Sequence, residues 1–194
     1  QRVALEPVLR QRKGSHCTEE KDKEQASHGH GQRVHRDYAA HFFRWGWASR
    51  FVESKKTRVL DIGCGQELPL VKVLTASLST VPAAYVGVDL NPIRKKPGMT
   101  WVEAVLDQFS FVDDWGRLLE SHEPFDLISC FEVIEHMHKI DGERLLVGAR
   151  ECLAEDGRFV LSTPVYDGKK MAANHIKEYT IAELATMIEL HIGE

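Results

Sequence analysis

Five short, β-branched apolar runs separated by helical stretches constrain this chain more than any other feature. They are TRVLDIG (57–63), AYVGVDL (84–90), MTWVEAV (99–105), PFDLISC (124–130) and GRFVLSTP (157–164). Between and after them, LPLVKVLTASLS, FVDDWGRLLESH, DGERLLVGARECLAED and TIAELATMIELHIGE have helical character. Strands alternating with helices imply a parallel sheet covered on both sides. The expected fold is α/β: a doubly wound, mostly parallel sheet with helices on both faces. No strand follows the last helix, so C-terminal strands of a longer domain are expected to be missing.

The flanks are read from composition and period. Residues 1–34 are charged and poor in aromatics, and GSHCTEEKDKEQASHGHGQR shows no apolar period, which predicts a mobile arm. His16, Cys17, His28 and His30 could hold a metal there, but a solvated tail is the favoured reading. One domain is expected over 35–194, where 43% hydrophobic content overall can fill one core. In HRDYAAHFFRWGWASRFVES, the spacing of Tyr38, Phe42, Trp45, Ala48 and Phe51 predicts one buried helix face.

Charge and cysteine usage narrow the function classes. A net charge of −4 supplies no global basic field for a large nucleic acid. The four cysteines, Cys17, Cys64, Cys130 and Cys152, form no CxxC and read as reduced thiols of a cytoplasmic protein. No run reaches the roughly 18 apolar residues of a membrane span, so no membrane role is expected.

The densest chemistry follows the first run. Gly63 and Gly65 stand at its carboxyl end, where open α/β sheets bind ligands and where glycine permits close backbone approach. Asp89 ends the second run, and a carboxylate there can accept hydrogen bonds from both hydroxyls of a ribose. The loop lacks the third glycine of GxGxxG, and Glu67 would meet a pyrophosphate with like charge. Asp61 adds a further negative group, which suits a cationic, phosphate-free nucleoside such as S-adenosylmethionine. A nicotinamide-dependent oxidoreductase and a non-catalytic adenosyl-binding subunit are the rival classes.

VLDIGCG, VGVDLNP, FDLISCFEVIEHM and LAEDGRFVLSTP, in this order from about residue 57 to about 185, resemble the successive motifs of class I S-adenosylmethionine-dependent methyltransferases. The resemblance implies that Asp61, Gly63 and Gly65 line the methionine part and that Asp89 holds the ribose. It places Asp107 near the adenine amino group, against the alternative of a solvated turn residue. Cys64, Leu90 and Phe131 are assigned to the same cofactor lining. Family members often carry a glycine where Glu67 stands.

A second constellation follows the fourth run. In CFEVIEHMH, Glu132, Glu135 and His136 have i, i+3, i+4 spacing, so one helical turn would present all three. Two carboxylates and an imidazole converging there call for a proton or a cation. His175, in NHIKEYT, completes a mixed O/N set suited to a divalent metal such as Mg. His138 has the wrong spacing for that face. This pattern resembles the small-RNA 3′-terminal 2′-O-methyltransferases and the ubiquinone-biosynthesis O-methyltransferases. The resemblance implies Glu132, Glu135, His136 and His175 as metal ligands; the alternative is that they cap a helix and shape a pocket. Without metal, His136 or His175 is the candidate general base, with Glu132 the third catalytic candidate.

For the acceptor, Lys169, Lys170 and Lys177 with Arg94, Lys95 and Lys96 could track phosphates, but charged loops are usually only solvated. The expected reaction is methyl transfer to a hydroxyl oxygen of a small molecule, with RNA or DNA as the alternative acceptor.

Overall fold

The computed structural model describes residues 36–76, 81–93 and 98–193. The arm expected over 1–34, its candidate ligands and the Arg94, Lys95 and Lys96 cluster lie outside the described residues. All five expected strands form: β1 (Arg58–Ile62), β2 (Ala84–Val88), β3 (Val102–Leu106), β4 (Phe125–Phe131) and β5 (Leu153–Ser162). They make one sheet in the order β3-β2-β1-β4-β5, and every pairing is parallel. The chain runs outward from β1 through β2 to β3, then returns to the other side of β1 as β4. The gap between the carboxyl ends of β1 and β4 is therefore the switch point, where such sheets hold ligands.

Side-chain alternation along the strands divides the core in two. Leu60, Ile62, Val86, Val88, Ile128 and Cys130 face one way, against Trp115, Leu145, Leu146, Met187 and Ile188. These come from α3 (Trp115–Ser121), α4 (Lys139–Cys152) and α5 (Ile181–His191). Val59, Tyr85, Val105, Leu127 and Val160 face the other way, against Leu70, Val71 and Leu74 of α2 (Pro69–Ala76) and aromatics of and just after α1 (Arg36–Ser49). Helices thus cover both faces, as the alternating pattern predicts.

Two local expectations need correction. Ala48 is fully buried and Trp45 and Phe51 pack on the second cluster, but Phe42 is 47% exposed, so the buried stripe of α1 is narrower than its spacing implies. The side chain of Tyr38 lies outside the described residues. The helix expected over 141–156 stops at Cys152, because Leu153 already pairs with Phe125 before a register shift carries Leu127 to Arg158. The start of α5 is legible in TIAE: Thr180 Oγ1 accepts from the Glu183 N–H, and the Glu183 carboxylate accepts from the Thr180 N–H at 2.8 Å. No helix among the described residues is long and apolar enough to cross a membrane.

Candidate active site

The turn after β1 doubles back because Gly63 (φ 70°) and Gly65 (φ 71°) take left-handed conformations, which β-carbon sterics deny most residues. The N–H groups of Gly63 and Cys64 both donate to the Val88 carbonyl, so the turn leans on the end of β2. A β-carbon at Gly63 would overlap the side chain of Val133, which follows β4. Gly63 therefore lets the two loops flanking the switch point meet.

Asp89 is the anchor of this loop. Its Oδ2 accepts from the Gly65 N–H and its Oδ1 from the Asn91 N–H, both at 2.8 Å, and the residue is 7% exposed. Oδ1 also accepts from Asn91 Nδ2 at 3.3 Å, so Oδ2 is the oxygen that keeps a lone pair for a sugar hydroxyl. Leu90, beside it, is exposed. Asp107 stands after β3, where its Oδ2 accepts from the Ile93 N–H at 3.3 Å, closing the loop beyond Asp89. Phe131 is half-buried at the end of β4, and Cys64 is buried beneath the turn, with Gly87 leaving room for its sulfur. Glu67 points outward and pairs with Lys72 at 2.9 Å.

Asp61 has a different environment from its neighbours. It is 3% exposed, and both oxygens are engaged at 2.8 Å, one by the Tyr85 hydroxyl and the other by Ser129. Ser129 sits directly across the β1–β4 ladder from it. Burial pushes its carboxyl up to about 6 from 3.8, against the lowering effect of the two hydroxyls. The native state then holds this proton more tightly than the unfolded chain between those pH values. Its stabilisation is full below about pH 4 and is lost as pH rises through about 6, by about 3 kcal/mol. Urea midpoints across pH 4–7 should show that decline, and Asp61→Asn should flatten it.

The second constellation gathers around a 3₁₀ turn, Ile134–His136. Glu135, His136 and His175 each offer one ligand atom, and these atoms lie within 4.8 Å of one another. The two imidazoles meet edge to face, with centroids 5.1 Å apart. Glu135 is completely buried; one oxygen accepts from Thr163 Oγ1 at 3.0 Å, and the other has no partner. Burial, and next the nearby Glu132 carboxylate, push it up to about 7. Its backbone carbonyl accepts from the N–H groups of Ile176 and Lys177, tying the His175 loop to this turn across some forty residues of chain.

Glu132 does not join this group. It adopts φ 57° at the end of β4, and its carboxylate accepts from Ser162 Oγ at 3.1 Å and pairs with Arg44 of α1 at 3.3 Å. The helical i, i+3, i+4 argument fails because the turn begins only at Ile134. His138 is exposed and outside the group. The sequence reading did not single out Arg44, Tyr85 or Ser129. A polar Ser within the apolar run of β4, once aligned with β1, is the one signal that could have found Asp61's partner.

A hollow of about 640 Å³ lies at the opposite, amino end of the sheet between Arg58, Glu103 and His122. Nothing in it approaches the two constellations.

Comparison with known proteins agrees with this fold. The family described as a methyltransferase domain matches residues 31–189. The ubiquinone biosynthesis O-methyltransferase of Xylella fastidiosa is 29% identical over 124 residues, 62% of this chain and 47% of that protein. The chain thus spans about half the length of the curated relatives it matches. Magnesium protoporphyrin IX methyltransferase (ChlM) from Synechocystis PCC 6803, solved with bound SAH, superposes with TM-score 0.59 at 12% identity, covering 89% of this chain and 82% of that one. The YcgJ protein of Bacillus subtilis superposes with TM-score 0.56 at 18% identity, covering 78% and 68%. At these identities the likeness is one of fold.

Proposed function

Because the chain belongs to the methyltransferase-domain family, we propose that it moves a methyl group from S-adenosylmethionine to a hydroxyl oxygen of a small molecule. The observation that carries this reading is the contact of Gly63 with Val133. It sets a glycine loop pinned by Asp89 beside a turn bearing Glu135 and His136, with His175 folded onto it. The relative named an O-methyltransferase supports the choice of acceptor atom.

The residues present fit a sugar-bearing cofactor, since Asp89 keeps acceptor capacity at the tip of β2 and Gly63 and Gly65 keep the loop bare. They also fit a divalent cation. Glu135 has a buried oxygen without a partner, and both histidines have Nδ1 engaged by the protein, leaving Nε2 for a ligand. When bound, the cofactor supplies an activated methyl on a sulfonium, and the cation lowers the pKa of a hydroxyl held against it. Asp89 and the glycine turn bind and orient the donor. Glu135, His136 and His175 hold the acceptor oxygen, and an imidazole Nε2 takes its proton if no cation is present. Holding the two reactants in line contributes several kcal/mol. The free, buried thiols of Cys64, Cys130 and Cys152 suit a reducing compartment, so the cytoplasm is the proposed location.

Calorimetry tests the donor half. S-adenosylmethionine should bind the native chain, and Asp89→Ala should weaken it about 10- to 100-fold, as expected for losing hydrogen bonds to a charged group. Binding of NAD in its place would overturn the reading in favour of an oxidoreductase. Labelled-methyl transfer to catechols, sugars and short RNAs, with and without chelator, tests the acceptor half. Transfer to RNA alone would replace the small molecule.

A further inference from the structure

The residue that orients His175 belongs to neither motif. His175 Nδ1 lies 2.6 Å from Glu178 Oε1, a short hydrogen bond. Glu178 is 3% exposed, and its Oε1 also accepts from the Ala172 N–H at 3.4 Å. Among the described residues, His175 is its one ion-pair partner. A buried carboxylate needs such a donor, because leaving it unpaired away from water is costly. Against an ionised carboxylate, which only accepts, the proton of such a bond sits on Nδ1, and a neutral ring then carries its lone pair on Nε2.

His136 repeats the arrangement with a different acceptor. Its Nδ1 lies 2.9 Å from the Asn174 carbonyl, which also can only accept. Two imidazoles from distant parts of the chain thus both spend Nδ1 on the protein. Asn174 and Glu178 come from the same loop, whose Ile176 and Lys177 N–H groups are anchored on the Glu135 carbonyl. The loop therefore supplies one imidazole and the orientation of both.

We propose that Glu178 is a positioning residue that fixes His175 in the Nδ1–H tautomer and directs its Nε2 lone pair to the ligand shared with Glu135 and His136. The cation part of this proposal rests on the reading of the site given above; the tautomer part does not. Carboxylate or carbonyl partners of metal-binding histidines commonly change metal affinity 10- to 100-fold when removed.

Two measurements separate the parts. Long-range proton–nitrogen correlation spectra of the ¹⁵N-labelled full chain, with His175 assigned through His175→Gln, should show His175 protonated at Nδ1. In Glu178→Gln the amide can donate as well as accept, so the Nε2–H form should become populated. Titration with Mn²⁺ alone should show about 10- to 100-fold weaker binding in Glu178→Gln than in the native chain. Native His175 protonated at Nε2 overturns the proposal, whatever the metal does. So does a Glu178→Gln chain with unchanged tautomer and unchanged Mn²⁺ affinity. An Nδ1–H tautomer without any Mn²⁺ binding upholds the positioning role and overturns the metal reading of the site. If Glu178→Gln does not fold, the native tautomer decides.

Discussion

Glu135→Gln should lower methyl transfer about 10²- to 10⁴-fold, the range expected for losing a group that binds or deprotonates the acceptor. Its affinity for S-adenosylmethionine should stay within about threefold, since the loop pinned by Asp89 touches none of its bonds. The isosteric amide keeps the loop in place, because Ile176 and Lys177 are held by the backbone carbonyl of Glu135 and not by its side chain. Stability should move the other way. A completely buried carboxylate with one unpartnered oxygen costs the fold free energy, so its neutral counterpart should melt at the same temperature or higher. Rate and melting temperature measured on the same preparation check the prediction. Unchanged transfer would reduce Glu135 to a pocket-shaping residue. Glu132→Gln serves as the contrast: its carboxylate holds Arg44 and Ser162, so its effect should come through the docking of α1 and appear in stability.

Gly63→Ala should lower the melting temperature by about 6–12 °C and abolish cofactor binding. Two costs add here. A left-handed φ of 70° costs a β-carbon-bearing residue about 1 kcal/mol. The overlap of that carbon with the Val133 side chain costs about 2 kcal/mol more, the middle of the range for overpacking. At about 2–4 °C per kcal/mol for a domain of this size, the sum gives the stated shift. Val133→Ala in the same chain should relieve the steric part and leave the backbone part, so the double variant should lose clearly less than the sum of the two single losses. Thermal denaturation of the two single variants and the double variant checks this. Additive losses would mean that the two loops do not meet at Gly63.

The elements of the fold were readable because their signals are local. Strands and helices follow from apolar period, and all five strands appear where β-branched runs predict them. The boundary at Cys152 was misread because pairing of Leu153 with a distant strand overrides helical character. The glycine turn and Asp89 were legible for the same reason: residue type and place at a strand end suffice to locate them. Glu135, His136 and His175 were named together with Glu132, from a helical spacing and a family resemblance, and the structure gathers the first three without Glu132.

What the chain alone determined was the order of strands and helices, the two loops at the switch point and the candidate groups on them. Only tertiary packing decided which carboxylate serves which purpose. Asp61 is turned to Tyr85 and Ser129, Glu132 to Arg44, and Glu178 to His175. Most of these partners lie far apart in sequence, so no local period records them. A buried charge takes the donor that the folded neighbourhood provides, and that neighbourhood exists only after the sheet has closed around it.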